Sequence, residues 1–226
     1  MVALEALPLV IFPCNGNAIE AVDCLGDRHR LIAFIDDSAE KRGSIILGYP
    51  VAGRDILSQQ PAARLLAVPG SPTSYRARRR VIEGLGVSDE RFTTVIHPAA
   101  TVSRFARIGR NVLIMAGVVI TSNAMIGDHV CILPNSVIHH DVVIGAWSLI
   151  GSGVTIAGGS VVGENCYVGS GSNIMNGVCL GRDCLIGLGS NVIDNVPPAI
   201  RVAGNPARRM REQSQPEMNG GKATPV

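Results

Sequence analysis

The 226-residue chain has room for one large domain or two small ones. A net charge of +2 neither favours nor disfavours a polyanionic partner, but no basic stripe interleaved with aromatics marks a nucleic-acid surface. Six cysteines without a CxxC pair read as free thiols of a reducing, cytoplasmic compartment, and the apolar run Leu7 to Cys14 is too short for a signal peptide or membrane span.

Residues 1–94 read as alternating strands and helices. Leu9 to Phe12 is an apolar strand that enters the loop Pro13-Cys14-Asn15-Gly16-Asn17, and Ala18 to Leu25 is helical. Leu31 to Ile35 is a second strand, ending in Asp36-Asp37. A turn-rich link, Gly48 to Gly53, leads to a short helix around Asp55 to Gln59. Arg64 to Val68 is a third strand, Ser74 to Leu85 a helix, and Phe92 to Ile96 a strand. This alternation predicts an α/β, Rossmann-like domain with a small parallel sheet. Ligands of such sheets sit beyond the carboxyl ends of the strands, where the Asn15-Gly16 loop and Asp36-Asp37 fall. The loop places backbone N–H groups at a helix start, a site for phosphate, although the dinucleotide fingerprint GxGxxG is absent. Arg76, Arg78, Arg79 and Arg80 read as a solvated face or a subunit contact.

From Ile108 to Val192 every sixth residue is a branched aliphatic, fifteen in unbroken phase. The residue two places earlier is always small or β-branched, and the residue after is often glycine. Period six fits neither the 3.6 of a helix nor one long strand, but it fits short strands joined by tight turns, as in a parallel β-helix. Three hexapeptides close one triangular coil, so residues eighteen apart stack. This is the hexapeptide pattern of left-handed β-helices, and it explains why only four Phe, three Tyr and one Trp occur. The expected division is 1–94 for the first domain and 95–210 for the β-helix with its closing segment. Residues 211–226, without apolar pattern, are expected to be a disordered tail.

One stretch of the repeat gathers titratable groups: Ser136-Val137-Ile138-His139-His140-Asp141. Ile138 holds the inward phase, so His139 points outward toward any bound substrate and His140 turns the corner. A corner histidine serves no packing role, and imidazole titrates in the range suited to accepting a proton from an attacking amine or hydroxyl. Asp141 beside it can fix its tautomer or strengthen it as a base. A surface histidine pair is the plain alternative.

The chain resembles the sialic-acid O-acetyltransferase-like family, which includes bacterial acetyltransferases acting on nucleotide-linked amino sugars. The resemblance covers about residues 8–210. It is carried by Phe34-Ile35-Asp36-Asp37, Gly48-Tyr49-Pro50-Val51, Val95-Ile96-His97-Pro98, Ser136 to Gly145, and Ala203-Gly204-Asn205-Pro206-Ala207. It implies His140 as general base with Asp141 behind it, and a Gly158 N–H facing the thioester carbonyl. It also implies that Asp36 and Asp37 contact the nucleobase and that the Asn15-Gly16 loop receives the diphosphate. The closing segment, with Gly204, Pro206 and Arg208, would lie near coenzyme A, acetyl-CoA being the cosubstrate. A homotrimer is implied too, which would cover the outward apolar residues Met115, Leu133 and Trp147. Where many members carry Gly-x-x-Gly-His-Gly, this chain has Pro13, Asn17 and Ala18 in place of glycine, histidine and glycine. Its phosphate contacts are therefore expected to differ.

The expected activity is direct acetyl transfer to the amine of a nucleotide-linked amino sugar. Transfer to a sugar hydroxyl is the alternative within the enzyme class, and a non-catalytic trimeric scaffold the alternative outside it. A zinc site of β-helix carbonic anhydrase type is not expected, because His129, His139 and His140 are spaced ten and one apart and fall on different corners. No metal, nucleic-acid or membrane partner is expected.

Overall fold

The computed structural model describes residues 6–210, so the expected tail at 211–226 lies outside the described residues. The apolar sequence Leu7–Phe12 forms strand β1, followed after a short loop by helix α1 (Gly16–Glu20). The expected helix through Leu25 tightens into a 3-10 turn after Glu20. Strand β2 (His29–Ile35) comes next, then a two-stranded hairpin, β3 (Ile45–Ile46) with β4 (Tyr49–Ala52), where the sequence suggested only a turn. Helix α2 (Ile56–Gln59), strand β5 (Arg64–Ala67) and helix α3 (Arg78–Glu83) complete the domain. The sheet order is β3-β4-β2-β1-β5, parallel except for the hairpin. Parallel strands need crossovers and burial on both faces, and β1 is accordingly buried from Leu9 to Phe12.

The β-helix begins at Val95–Ile96, two hexapeptides before the uninterrupted aliphatic run, because Ile96 and Val102 already hold the phase. Two-residue strands stack in three parallel faces of eight, six and five strands. The partners are eighteen residues apart, as with Val119 on Val137 and Val137 on Thr155. The inward column is dry, and Ile114, Ile132, Ile150, Val168 and Ile186 have no exposed surface. Serines replace valine in the small inward slot without leaving a polar group unsatisfied. The Ser136 hydroxyl donates to the Gly151 carbonyl (2.8 Å) and accepts from the Val154 N–H (3.1 Å), tying one coil to the next. Ser148 repeats the device with Gly163 and Cys166.

The eight-stranded face carries the first domain. Its outward residues Leu113, Met115, Cys131, Leu149 and Leu185 share one apolar core with Leu9, Ile11, Ala18 and Phe34. Met115 is therefore buried within the chain, Leu133 packs against the same core, and Trp147 packs on the other side of the sheet. These three residues are thus covered by the first domain, where the sequence suggested a subunit contact. In the arginine cluster Arg76, Arg79 and Arg80 are exposed, as a solvated face would have them, and Arg78 is the correction. Arg78 is 1% exposed and its guanidinium donates to the backbone carbonyls of Pro69, His129 and Trp147, joining the two parts of the chain. Arg76 donates to the carbonyls of Asp183 and Ala199, while Arg79 remains on the surface in an ion pair with Glu83.

A second polar bridge crosses the same junction. Asn111, fully buried, accepts from the Ala67 N–H (2.7 Å) and donates to its carbonyl (2.9 Å), closing the free edge of β5 as another strand would. Its amide also donates to Nδ1 of His129 (2.9 Å), whose ring stacks on Trp147 at 3.9 Å. Burial lowers the His129 pKa from 6.5 to about 4. Between those values the unfolded chain binds the extra proton, so stability rises with pH there. It is complete above about 6.5 and falls by up to about 3 kcal/mol toward pH 4. Urea titrations of wild type and His129→Gln should show this as a difference in slope below pH 6.5; parallel slopes would remove it.

Candidate active site

The corner between the six- and five-stranded faces holds one pair of residues per coil: Ser122-Asn123, His140-Asp141, Gly158-Gly159, Asn176-Gly177 and Asp194-Asn195. The second residue of the first four of these corners takes a left-handed backbone, at φ 62° for Asn123 and 60° for Asp141. Asparagine, aspartate and glycine tolerate that conformation best, so the turn itself selects short polar residues. The Asp141 carboxylate accepts from Nδ1 of His140 at 2.8 Å and from the Asn123 amide, one coil away, at 3.1 Å. The hydrogen bond from His140, helped by that from Asn123, holds the Asp141 carboxyl below the usual carboxylate range. With Nδ1–H committed to Asp141, the lone pair of His140 sits on Nε2. His140 is 61% exposed, so that nitrogen is open to an incoming group.

Gly158 lies directly above the imidazole. A Cβ at this position would stand 2.5 Å from Cε1 and 2.6 Å from Nε2 of His140, so only glycine leaves the ring its place. Among the described residues the Gly158 N–H donates no hydrogen bond, whereas Gly159 N–H goes to the His140 carbonyl. Nε2 and a residue whose N–H is not engaged are therefore neighbours at this corner. Beside it Gly159 carries no side chain, and in the coil above the corner holds the exposed Asn176 next to Gly177. His139 follows the strand Val137–Ile138 on the six-stranded side and is half-buried, eighteen residues after Thr121.

The closing segment returns to the same corner. Arg201–Ala203 adds to the eight-stranded face, the chain reverses through Gly204 (φ 103°) and Pro206, and Arg208–Arg209 runs back antiparallel. Gly204 N–H donates to the Ser190 hydroxyl, and Arg208 lies 3.7 Å from the carboxylate of Asp194. Asp194 belongs to the corner column of His140 and Gly158, so Arg208 stands over the same edge, two coils above Gly158. A cleft of about 440 Å³ opens there between Asp194, Asn195, Ile200 and Arg208.

The candidate residues of the first domain form a separate group. Asn15 caps α1 through the Ala18 N–H and donates to the Val68 carbonyl, so it braces the loop. Gly16 opens α1 with free space on its Cβ side. Asp36 is 6% exposed, accepts from Ser38 N–H and pairs with Lys41 at 3.1 Å. Asp37 is exposed and held bidentately by Arg54, with both bonds at 2.7 Å, which keeps its carboxyl below the usual range. Among the described residues none of the hydrogen bonds of this domain reaches the His140 corner, which lies across the prism from the eight-stranded face. Sequence reasoning missed Asn123 and Lys41. Asn123 was open to discovery, being eighteen residues before Asp141 and hence its neighbour in the stack.

A family model described as bacterial transferase hexapeptide (six repeats) matches residues 105–139 and 123–158. No curated protein sequence shows a significant match to the chain. Among solved structures, the chain is similar to PerB from Caulobacter crescentus in complex with CoA and GDP-perosamine: identity is 30%, the match covers 92% of this chain and 99% of that chain, and the TM-score is 0.79. A mutant of perosamine N-acetyltransferase from the same organism, also with CoA and GDP-perosamine, gives 29% identity over the same shares of both chains and a TM-score of 0.80. The acetyltransferase domain of PglB from Neisseria gonorrhoeae, in complex with acetyl coenzyme A, gives 26% identity, 91% and 100% coverage and a TM-score of 0.80.

Proposed function

The chain belongs to the hexapeptide-repeat acetyltransferases of nucleotide-linked amino sugars, and we propose from this that it moves the acetyl group of acetyl-CoA onto the amine of such a sugar. The observation that carries the chemistry is the His140–Asp141 pair seated against Gly158 at an open corner. The amine nitrogen attacks the thioester carbonyl while His140 Nε2 removes its proton, and Asp141 receives the hydrogen bond of the imidazolium. The Gly158 N–H is the donor available to the oxyanion. The C–S bond then breaks, the thiolate of coenzyme A leaves and takes up a proton, and no acyl-enzyme forms. Three coil spacings of about 4.8 Å separate His140 from Asp194, a span of about 14 Å that suits an extended pantetheine arm ending near Arg208 and Gly204-Asn205-Pro206.

In this reading residues 1–94 are a Rossmann-like nucleotide-sugar domain and 95–210 a left-handed β-helix that carries the transfer. Asn15, Gly16, Asp36, Asp37 and His139 then line the acceptor's path. Its first domain covers the eight-stranded face, while His140 stands at the opposite corner. An acceptor held by one copy's first domain would therefore meet the corner of a neighbour, which favours a homotrimer with shared sites. Among the described residues no helix is long and apolar enough to cross a membrane.

Coenzyme A release from acetyl-CoA, measured against UDP-, GDP- and dTDP-linked amino sugars and their hydroxyl analogues, tests the reaction. Turnover with one amino sugar and not its hydroxyl analogue is the expected result; turnover with hydroxyl acceptors alone would replace N- by O-transfer. Light scattering should return a trimer, and a monomer would remove the shared site.

A further inference from the structure

Resting on the nucleotide-sugar reading, we infer that Lys41 is the residue that meets the diphosphate of the acceptor. In a parallel sheet the crevice outside the carboxyl ends of the strands receives the ligand. Here that crevice is bounded by the loop after β1 and the loop after β2, which are adjacent and tied by the Cys14 N–H donating to the Ile35 carbonyl at 3.0 Å. The usual backbone means of holding phosphate are weak at this place. The loop Pro13–Asn17 contains one glycine, α1 is only five residues long, and the Asn15 side chain already occupies the Ala18 N–H. Charge must then come from a side chain.

Three cations stand at this end of the sheet. Arg54 is committed to both oxygens of Asp37 and to the Gly84 carbonyl. Arg42 reaches only the Asp37 carbonyl, at 3.4 Å. Lys41 alone is fastened to the β1 loop: its ammonium donates to the Cys14 carbonyl at 2.7 Å and to Asp36 at 3.1 Å, with the side chain 45% exposed. Asp36 is buried and fixed by Ser38, so it acts as a rigid post for the ammonium. Two of the three N–H bonds of Lys41 are thereby used, and the third is left to the crevice. Asp36 offsets part of the charge but fixes where it sits, so a diphosphate meets a donor that is already oriented.

Calorimetry with UDP, GDP and dTDP and with the parent nucleosides tests the assignment, using wild type, Lys41→Met and Lys41→Arg. Lys41→Met should weaken the best-bound diphosphate by about ten- to hundredfold, the range of a charge-assisted hydrogen bond. Nucleoside affinity and the KM for acetyl-CoA should stay at wild-type values, the melting temperature should fall because the buried Asp36 loses its cation, and Lys41→Arg should recover much of both losses. In turnover the same variant should raise the KM of the nucleotide sugar with little change in kcat. Unchanged diphosphate affinity overturns the assignment. So does an equal fall for nucleoside and diphosphate, which would mark Lys41 as a brace of the loop. A wild-type protein that binds none of the three diphosphates removes the nucleotide-sugar reading itself.

Discussion

His140→Ala is expected to lower kcat for acetyl transfer by about a hundred- to ten-thousandfold, the usual contribution of a positioned general base, while the KM values for acetyl-CoA and the acceptor change little. The side chain is exposed, lies beside Gly158 and bonds Asp141, so its removal leaves the coil intact and the melting temperature unchanged. Asp141→Asn should fall between the two, because the imidazole keeps a neighbour but loses the anion that steadies its protonated form. Steady-state kinetics with a thiol assay decides the matter. Turnover of His140→Ala within threefold of wild type would mean that the amine arrives already deprotonated and that the corner histidine only shapes the site.

That prediction could be framed from the sequence because the β-helix makes position arithmetic. Every sixth residue is inward, every eighteenth residue stacks, and His140 and Gly158 therefore share a corner. The same arithmetic shows where apolar residues face outward, although not on one face alone, since residues 125, 143, 161 and 179 of the five-stranded face read Met, Val, Val, Cys. Residues 113, 131, 149, 167 and 185 read Leu, Cys, Leu, Tyr, Leu, whereas residues 155, 173 and 191 on the six-stranded face read Thr, Asn, Asn. What periodicity could not supply was the partner of that apolar column, so Met115, Leu133 and Trp147 were assigned to a subunit contact when the chain's own first domain covers them. Arg78 was misread for a related reason. An arginine satisfied by three backbone carbonyls has no charged partner to betray it in the sequence, and the carbonyls come from residues 69, 129 and 147. Lys41 and Asp36 are five residues apart, but the carbonyl that fixes the lysine lies 27 residues upstream. Local pattern carries the fold and the corner, while contacts made through backbone groups between distant segments stay hidden.

Two glycines of the repeat should fail in opposite ways when changed to alanine. Gly145 directly follows the inward Ile144 and Gly158 occupies the corner slot of His140, and neither has a left-handed backbone, so alanine is conformationally acceptable at each. At Gly145 the added Cβ would stand 2.6 Å from the Glu164 N and 2.7 Å from the Gly163 carbon, and this backbone of the next coil is fixed by its own ladder. Relief requires the coils to separate, an overpacking cost of about 1–3 kcal/mol. At Gly158 the atoms nearest the Cβ all belong to the His140 ring, which is exposed and can swing aside once its 2.8 Å bond to Asp141 breaks. Gly145→Ala should therefore lower the melting temperature while each folded molecule keeps its kcat. Gly158→Ala should melt like wild type and lose about a hundredfold in kcat, the order of effect that a misplaced catalytic group produces. Thermal melts and kinetics on both variants together test this. If Gly158→Ala instead loses stability with its kcat preserved, the close approach of the imidazole to Gly158 is a packing contact, and the proton acceptor and oxyanion donor must be sought elsewhere along the corner.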